Sequence, residues 1–241
     1  MGVLFDVSVD ADLPWWQFLF YGLGVSLAVV ACAFVIAISV GSVVGVMRTS
    51  RNKWIVQASG CYVFVFRNIP LLVQFFLWFY VVPGLSDSIK SVVLATDPGV
   101  VQFVSSALCL GIYTSARIAE DVRSGIDALA GGQRQAAYAI GLSEWRVYRY
   151  VLLPVAFRII IPQLTSETTS LVKNSSIAYS IGLAELFSRT LTMGELTFHF
   201  TTAFLASAVG YVSVTLTLTM IMLTVERKFR LLSSLSGGAR V

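Results

Sequence analysis

Two charged side chains interrupt a segment that is otherwise apolar, and they are the first candidates for binding a polar solute. Arg117 and Glu120 lie late in the apolar run that begins near Val101. At 1.5 Å per helical residue, Arg117 would lie about 24 Å along such a helix, near or just beyond the middle of a bilayer. Because a charge at that depth is costly unless it meets a partner or a wet cavity, both residues are predicted to belong to a binding site.

Arg117 has two interpretations that the sequence leaves open. It can pair with Glu120 or Asp121 at the i,i+3 or i,i+4 spacing of its own helix. Alternatively, its guanidinium can hold a carboxylate through two parallel hydrogen bonds, which would suit an acidic ligand.

The segment 155–182 is the most polar of the apolar segments, so it cannot face lipid on all sides and is predicted to line a pathway. Four of its side chains fall close to one helical face and are predicted to contact the solute: Ser166, Ser170, Lys173 and Asn174. Lys173 supplies a second charge for an anionic ligand, or else balances Glu167 from a neighbouring turn or helix.

The composition predicts an all-α integral membrane protein. The chain has 241 residues, of which 56% are hydrophobic and 12% charged, too few to cover a soluble domain of this size. No charged residue lies between Leu13 and Met47, and about 20 apolar residues suffice to cross the hydrocarbon. A cleaved signal peptide is not expected, because the N-terminus is acidic and the apolar run is too long.

Five transmembrane helices are predicted within one domain, residues 1–241, at about 16–47, 55–82, 101–128, 155–182 and 203–225. Pro70 predicts a kink in the second. Gly41 and Gly45 would let helices approach closely. Basic clusters follow the first, third and fifth segments, which predicts a periplasmic N-terminus and a cytoplasmic C-terminus: Arg48, Arg51 and Lys53; Arg134, Arg146 and Arg149; Arg227, Lys228 and Arg230.

Several other classes of function are disfavoured by the sequence. Cys32, Cys61 and Cys109 lie far apart with only His199 to join them, so packing is expected rather than metal or redox chemistry, and no catalytic residue is predicted. The basic residues lie in separate short loops, which favours topology over nucleic-acid binding. The chain has no Gly-x-x-x-x-Gly-Lys-Ser/Thr phosphate loop, so it is not expected to hydrolyse ATP.

A polar, basic stretch from Gly132 to Tyr150 separates two apolar segments. As a helix along the membrane surface it would group Ala136, Ala137 and Ile140 on one side. Gly141 would allow a turn or cap, and Pro154 can begin the next span because it needs no backbone partner there. From periodicity alone, the stretch either rests on the bilayer or docks into a partner.

Its spacing resembles the cytoplasmic loop of bacterial ABC-importer permeases: Gln135-Ala136-Ala137, then Gly141 and Leu153-Pro154. The family is the polar amino-acid uptake permeases of the histidine/glutamine type. The resemblance runs through nearly the entire chain, in Phe66-Arg67-Asn68-Ile69-Pro70-Leu71-Leu72-Val73-Gln74, Ala119-Glu120 with Arg123, Gly125-Ile126 and Leu171-Val172-Lys173-Asn174. The family usually has Glu at the position of Gln135, so one ionic contact is absent there.

The resemblance implies an ABC type I importer permease fold in the bacterial inner membrane, with a cytoplasmic coupling loop at about 129–154. It implies that a helix of this loop enters a cleft on an ATPase, with contacts from Gln135, Ala136, Ala137, Gly141, Leu153 and Pro154. The implied partners are a second permease subunit, identical or different, an ATPase dimer that carries the ATP and Mg²⁺, and a periplasmic amino-acid-binding protein. This chain would hold no cofactor of its own. The motif around Arg67 is implied to be a packing or gating element, with a substrate contact as the alternative.

Several segments are most similar to the glutamate/aspartate-importing members: Ser106-Ala107-Leu108-Cys109-Leu110-Gly111, Thr165-Ser166-Glu167, Val172-Lys173-Asn174-Ser175 and Val225-Glu226-Arg227-Lys228. Related permeases for other polar amino acids usually carry Tyr where this chain has Arg117. The expected function is therefore import of glutamate and aspartate by ATP-driven alternating access. The alternatives are import of another polar amino acid and, in a different class, an ATP-independent solute or ion channel.

Overall fold

The structure is a computed structural model that describes residues 2–6, 13–129 and 131–236. Every regular segment in these ranges is helical, as the sequence predicts. Asp10 and Asp12 of the acidic N-terminus lie outside the described residues. The α-helices, in chain order, are α1 (Trp15–Met47), α2 (Lys53–Asn68), α3 (Leu71–Phe76), α4 (Asp87–Ala95), α5 (Pro98–Asp127), α6 (Gly131–Ala139), α7 (Glu144–Val147), α8 (Leu153–Asn174), α9 (Leu186–Thr197) and α10 (Phe200–Ser236).

Four helical stretches in the described part of the chain are long and apolar enough to cross a membrane: Trp15–Met47, Pro98–Asp127, Glu144–Ile181 and Phe200–Lys228. They correspond to the first, third, fourth and fifth predicted segments. The second predicted segment is a bent pair, Lys53–Asn68 with Leu71–Leu85, which meets the same criteria only when its two parts are taken together.

The break predicted at Pro70 is present, and the two parts of the pair are bent by 104°. Ile69 and Pro70 both leave the helical conformation, with ψ of 126° and 137°. The buried Gln74 donates from Nε2 to the carbonyl oxygens of Phe66 and Ile69, both at 2.9 Å. This side chain therefore satisfies carbonyl groups that the interrupted helix leaves without partners.

The helix that contains the fourth segment begins at Glu144, earlier than the predicted start near Val155. Between α7 and α8 the chain is π-helical over Tyr148–Leu152, and Leu153 N donates to Tyr148 O, five residues back. This wider turn immediately precedes Pro154, which has no backbone N–H to donate. The helix therefore continues past the proline instead of starting at it.

The helices α1 and α5 run parallel and in direct contact where α1 carries glycines. A Cβ atom added at Gly41 would lie 2.8 Å from Ser115 O, and one added at Gly45 would lie 2.8 Å from Ala119 O. Both distances are shorter than Cβ atoms tolerate, so only glycine allows this approach. The close helix contact predicted from the spacing of the two glycines is confirmed.

A buried carboxylate joins three helices at the end of the bundle where α1 begins. Glu185 is 0% exposed, and it accepts hydrogen bonds from Phe187 N (2.9 Å) and Ser188 N (2.8 Å) in the first turn of α9. It also accepts from Ser26 Oγ of α1 (3.2 Å) and Tyr211 OH of α10 (3.0 Å). Burial raises the pKa of the Glu185 carboxyl, and these donors oppose that rise. The residue thus caps α9 and fixes it to two neighbours.

Gly45→Val is expected to destabilise the protein, because the added methyl groups would overlap atoms of α5. Overpacking of this kind costs about 1–3 kcal/mol. The midpoint of thermal unfolding of the purified protein in detergent should fall. Gly24→Val is the matched control, because a Cβ atom at Gly24 meets nothing within 4 Å. An equal decrease for both variants would contradict the packing explanation.

Candidate functional site

The side chain of Arg117 forms an ion pair between α5 and α8. Its Nε lies 2.7 Å from Glu167 Oε2. The two helices run antiparallel, since Gly125, farther along α5, lies against Ala156 and Ile160, earlier on α8. The Glu167 side chain is 9% exposed, whereas that of Arg117 is 43% exposed. The structure therefore pairs Arg117 with a residue 50 positions along the chain, not with its helical neighbours Glu120 or Asp121. A large part of the arginine stays accessible while its partner is buried.

One helical turn farther along α5, Glu120 is held by two other arginines. Its Oε2 accepts from Arg48 Nη1 at the end of α1. Its Oε1 accepts from Arg123 Nη2 at 2.6 Å and from Arg123 Nε at 3.1 Å. Arg123 also donates to Asp127 at 2.9 Å. Both oxygens of the predicted site residue Glu120 are thus already engaged by protein donors, and they connect α1 to α5.

Asp121 lies among these charges and was not predicted as a site residue. It interacts electrostatically with Glu167, Arg117, Arg67 and Glu120. Its buried Oδ2 has no hydrogen-bond partner among the described residues. The fold thus assembles seven residues into what we call the central charge cluster: Arg48, Arg67, Arg117, Glu120, Asp121, Arg123 and Glu167. The spacing of charges along one helix predicted Glu120 or Asp121 as partners of Arg117. The interactions of Arg48 and Arg67 with this cluster are visible only in the folded structure.

The four predicted polar residues of the fourth segment lie toward the C-terminal end of α8. Ser166 and Lys173 are exposed, and Ser170 and Asn174 are partly buried. The neighbouring residues Thr168, Leu171 and Val172 are buried in the bundle, beside Glu167. The exposed residues therefore occupy the side of α8 that the bundle leaves uncovered. Glu167 pairs with Arg117 and not with Lys173.

The predicted coupling segment forms α6, a turn and α7. Gln135 and Ala136 are exposed, whereas Ala137 is only 5% exposed and packs with Val147. Gly141 forms the predicted turn with a φ of 79°, a left-handed value that glycine adopts without strain. Farther along, Leu153 is partly buried and Pro154 is exposed.

Tyr148 fixes this segment to the turn between α1 and α2. Its hydroxyl donates to Thr49 O at 2.8 Å, and Arg134 Nη2 donates to the same hydroxyl. A second contact places the Arg51 guanidinium 4.8 Å from the centre of the Tyr138 ring. The segment is therefore bound to the residues that directly follow Arg48, and Arg48 in turn holds Glu120.

Within the described part of the chain, no group of three or more His, Cys, Asp or Glu side chains is arranged to hold a metal ion. Cys109 is buried in the core, and Cys32 and Cys61 are exposed. These features define the class of protein. It is a multi-pass membrane protein whose apolar helices enclose the central charge cluster and whose polar segment lies at the surface.

Comparison with known proteins gives the family. The family model described as "Binding-protein-dependent transport system inner membrane component" matches residues 37–231, and the chain belongs to this family. It is 41% identical to the glutamate/aspartate import permease protein GltJ of Escherichia coli K12 over 98% of this chain and 97% of that protein. It is 31% identical to the glutamate/aspartate import permease protein GltK of Escherichia coli O157:H7, over 80% of this chain and 84% of that protein.

The fold is also that of a solved transporter. The crystal structure of an amino acid ABC transporter with histidines superposes on this chain with a TM-score of 0.73 and 28% identity, over 89% of this chain and 95% of that one. The resemblance drawn from the sequence is therefore confirmed. The protein is an inner-membrane permease subunit of an ABC importer, with the all-helical permease fold.

The Arg117–Glu167 pair should show strong thermodynamic coupling. Glu167→Gln and Arg117→Gln are each expected to lower the free energy of unfolding, because each leaves an unmatched charge between α5 and α8. The double variant should be less destabilised than the sum of the two, with a coupling energy of about 0.5–3 kcal/mol. Denaturant unfolding of all four proteins in detergent measures this difference. Simple additivity would show that the two side chains do not interact.

Proposed function

We propose that this permease imports glutamate and aspartate, and that Arg117 receives a carboxylate of the substrate. The observation that carries the proposal is the accessible guanidinium of Arg117, anchored on one edge by a buried glutamate. An arginine offers five N–H donors in a planar fork, so one edge can bind Glu167 while the remainder binds a second carboxylate. Similarity to GltJ and GltK, both named as glutamate/aspartate import permeases, supports this choice of substrate.

The other predicted residues take distinct parts in this proposal. Ser166, Ser170, Lys173 and Asn174 lie on the uncovered side of α8 and supply hydrogen bonds and a positive charge to the same anionic substrate. Glu120 acts as a positioning residue, because its carboxylate is shared between two arginines and holds α1 against α5. Substrate selection in the permease then depends on matching charge more than on shape.

We propose five membrane spans, with the N-terminus in the periplasm and the C-terminus in the cytoplasm. The parallel course of α1 and α5 supports this, because the bent pair between them must then return the chain across the membrane. The antiparallel course of α5 and α8 continues the alternation. The basic clusters, including Arg48 and Arg134, then lie on the cytoplasmic side.

We assign ATPase docking to the exposed side of α6 and the turn that follows, with Gln135, Ala136, Gly141 and Pro154 at the surface. Ala137 and Leu153 belong to the inner side and hold the segment to the bundle. Binding and hydrolysis of ATP with Mg²⁺ occur on the partner ATPase dimer, which drives alternating access. A second permease subunit and a periplasmic amino-acid-binding protein complete the importer, as the family's reliance on a binding protein supports.

Arg117→Tyr is expected to reduce ATP-driven glutamate uptake about tenfold or more, because a hydrogen bond to a charged group contributes about 1.5–3 kcal/mol. The initial rate of labelled glutamate uptake is measured in proteoliposomes that hold the complete importer, with ATP inside and arginine as competitor. Arg158→Gln is the matched control, since this exposed arginine on α8 has no assigned role.

The same assay separates the alternatives. Undiminished glutamate uptake by Arg117→Tyr, at equal expression and equal ATPase coupling, would refute the role of Arg117. Transport of arginine in place of glutamate would refute the substrate. Flux that continues without ATP would identify a channel.

Ala136→Arg is expected to prevent the ATPase subunit from co-purifying with the permease, because the long charged side chain would occupy the docking surface. The permease itself should fold normally, since Ala136 is exposed. Ala95→Arg, at an exposed position on the proposed periplasmic side, should leave co-purification unchanged. Normal recovery of the ATPase with Ala136→Arg would show that this surface is not the docking site.

A further inference from the structure

A polar cavity of about 470 Å³ lies between α1, α2 and α5, beside the central charge cluster. Its polar lining comes from Arg48, Arg67, Asn68 and Glu120, and α2 supplies the rest of the wall. Its volume lies within the range of about 300–1,000 Å³ that is usual for small-molecule sites. The cavity is therefore large enough for an amino acid.

The cavity has an excess of positive charge with unused donors. The Glu120 carboxylate is occupied by Arg48 and Arg123. Arg67 is exposed and acts electrostatically on Asp121, but it forms no hydrogen bond or ion pair with the described residues. Asn68 uses its amide nitrogen on Phe64 O at 2.6 Å, which leaves its side-chain oxygen as an acceptor. An anion that also carries a donor suits this lining.

The cavity lies nearer than Arg117 to the proposed cytoplasmic end of α5, because Glu120 lines it. Glu120 follows Arg117 by three residues on α5, a rise of about 4.5 Å toward the end of the helix at Asp127. Asp121 interacts electrostatically with both Arg117 and Arg67, so both arginines lie close to the same carboxylate. A carboxylate released by Arg117 in the proposed cytoplasmic direction meets the cavity next.

We propose that this cavity is an inner binding site for an acidic amino acid before its release, with Arg67 as the principal ligand of a carboxylate. The inference rests on the proposed function, since it assumes that glutamate or aspartate is the substrate. An amino acid suits the site better than a phosphate, because the wall offers an acceptor for an ammonium group as well as donors for a carboxylate. The Asn68 side-chain oxygen can accept from that same ammonium group.

Gly60 gives a direct probe of occupancy. It lines the cavity, and a Cβ atom added there meets nothing within 4 Å, so Gly60→Cys places a thiol in open space. The two exposed cysteines, Cys32 and Cys61, are replaced by serine, and the buried Cys109 is retained. The rate of maleimide labelling is then measured on the complete importer in lipid nanodiscs, where both membrane faces are accessible.

Glutamate at about ten times its dissociation constant is expected to slow the labelling of Gly60→Cys about tenfold. Arg67→Gln should abolish this protection, and Arg67→Lys should retain part of it, because lysine keeps the charge but loses the planar fork. Inorganic phosphate should protect less than glutamate, and Arg158→Gln is the control for loss of an arginine elsewhere.

The outcomes distinguish this inference from the proposed function. Glutamate import without protection of Gly60→Cys would overturn the inner site alone. Protection that survives in both Arg67 variants, or that phosphate gives equally well, would also overturn it. If the cysteine-containing importer and its unmodified parent both fail to import glutamate, the proposed function is refuted and the inner site with it.

Discussion

The desolvation of charge inside a membrane is the constraint on which the rest of this structure depends. A charged group between lipid-facing helices is tolerated only when it is paired or hydrated. The Arg117–Glu167 ion pair meets this requirement, because the carboxylate is buried and paired while the guanidinium stays partly accessible. The asymmetry matters, because a fully buried pair would have no donor left for a substrate. Pairing also fixes α8 against α5, so the polar side of α8 takes its position from the same bond.

Close packing sets where the charges meet. The bond between Arg48 and Glu120 can form because α1 approaches α5 without side chains between their backbones at Gly41 and Gly45. A larger residue at either position would separate the helices and move Arg48 away from its partner. The apolar contact and the ionic contact are therefore not independent. The glycines determine the distance over which the arginine has to reach.

The sequence predicts local features of this fold well and long-range partners poorly. Hydropathy located the apolar helices, Pro70 predicted the break, and Gly141 predicted the turn, since each depends on the residue itself or its near neighbours. The partner of Arg117 lies 50 residues away, and several acidic residues were equally available to it. The π-helical turn before Pro154 was also missed, because hydropathy does not report hydrogen-bond register. The interaction between Arg67 of α2 and Asp121 of α5 also became visible only in the folded structure.

The segment formed by α6, α7 and Tyr148 is joined to the central charge cluster by continuous contacts. Tyr148 binds the carbonyl group of Thr49, and Thr49 is covalently attached to Arg48, which binds Glu120 on α5. A force on the segment can therefore reach α5 through two hydrogen-bonded contacts and one peptide link. Contiguity is what transmission through packed elements requires, although coupling itself is an energetic property. Glu120 connects the two functions of this region. Its carboxylate anchors α1, and it also lines the cavity through which the substrate is proposed to leave.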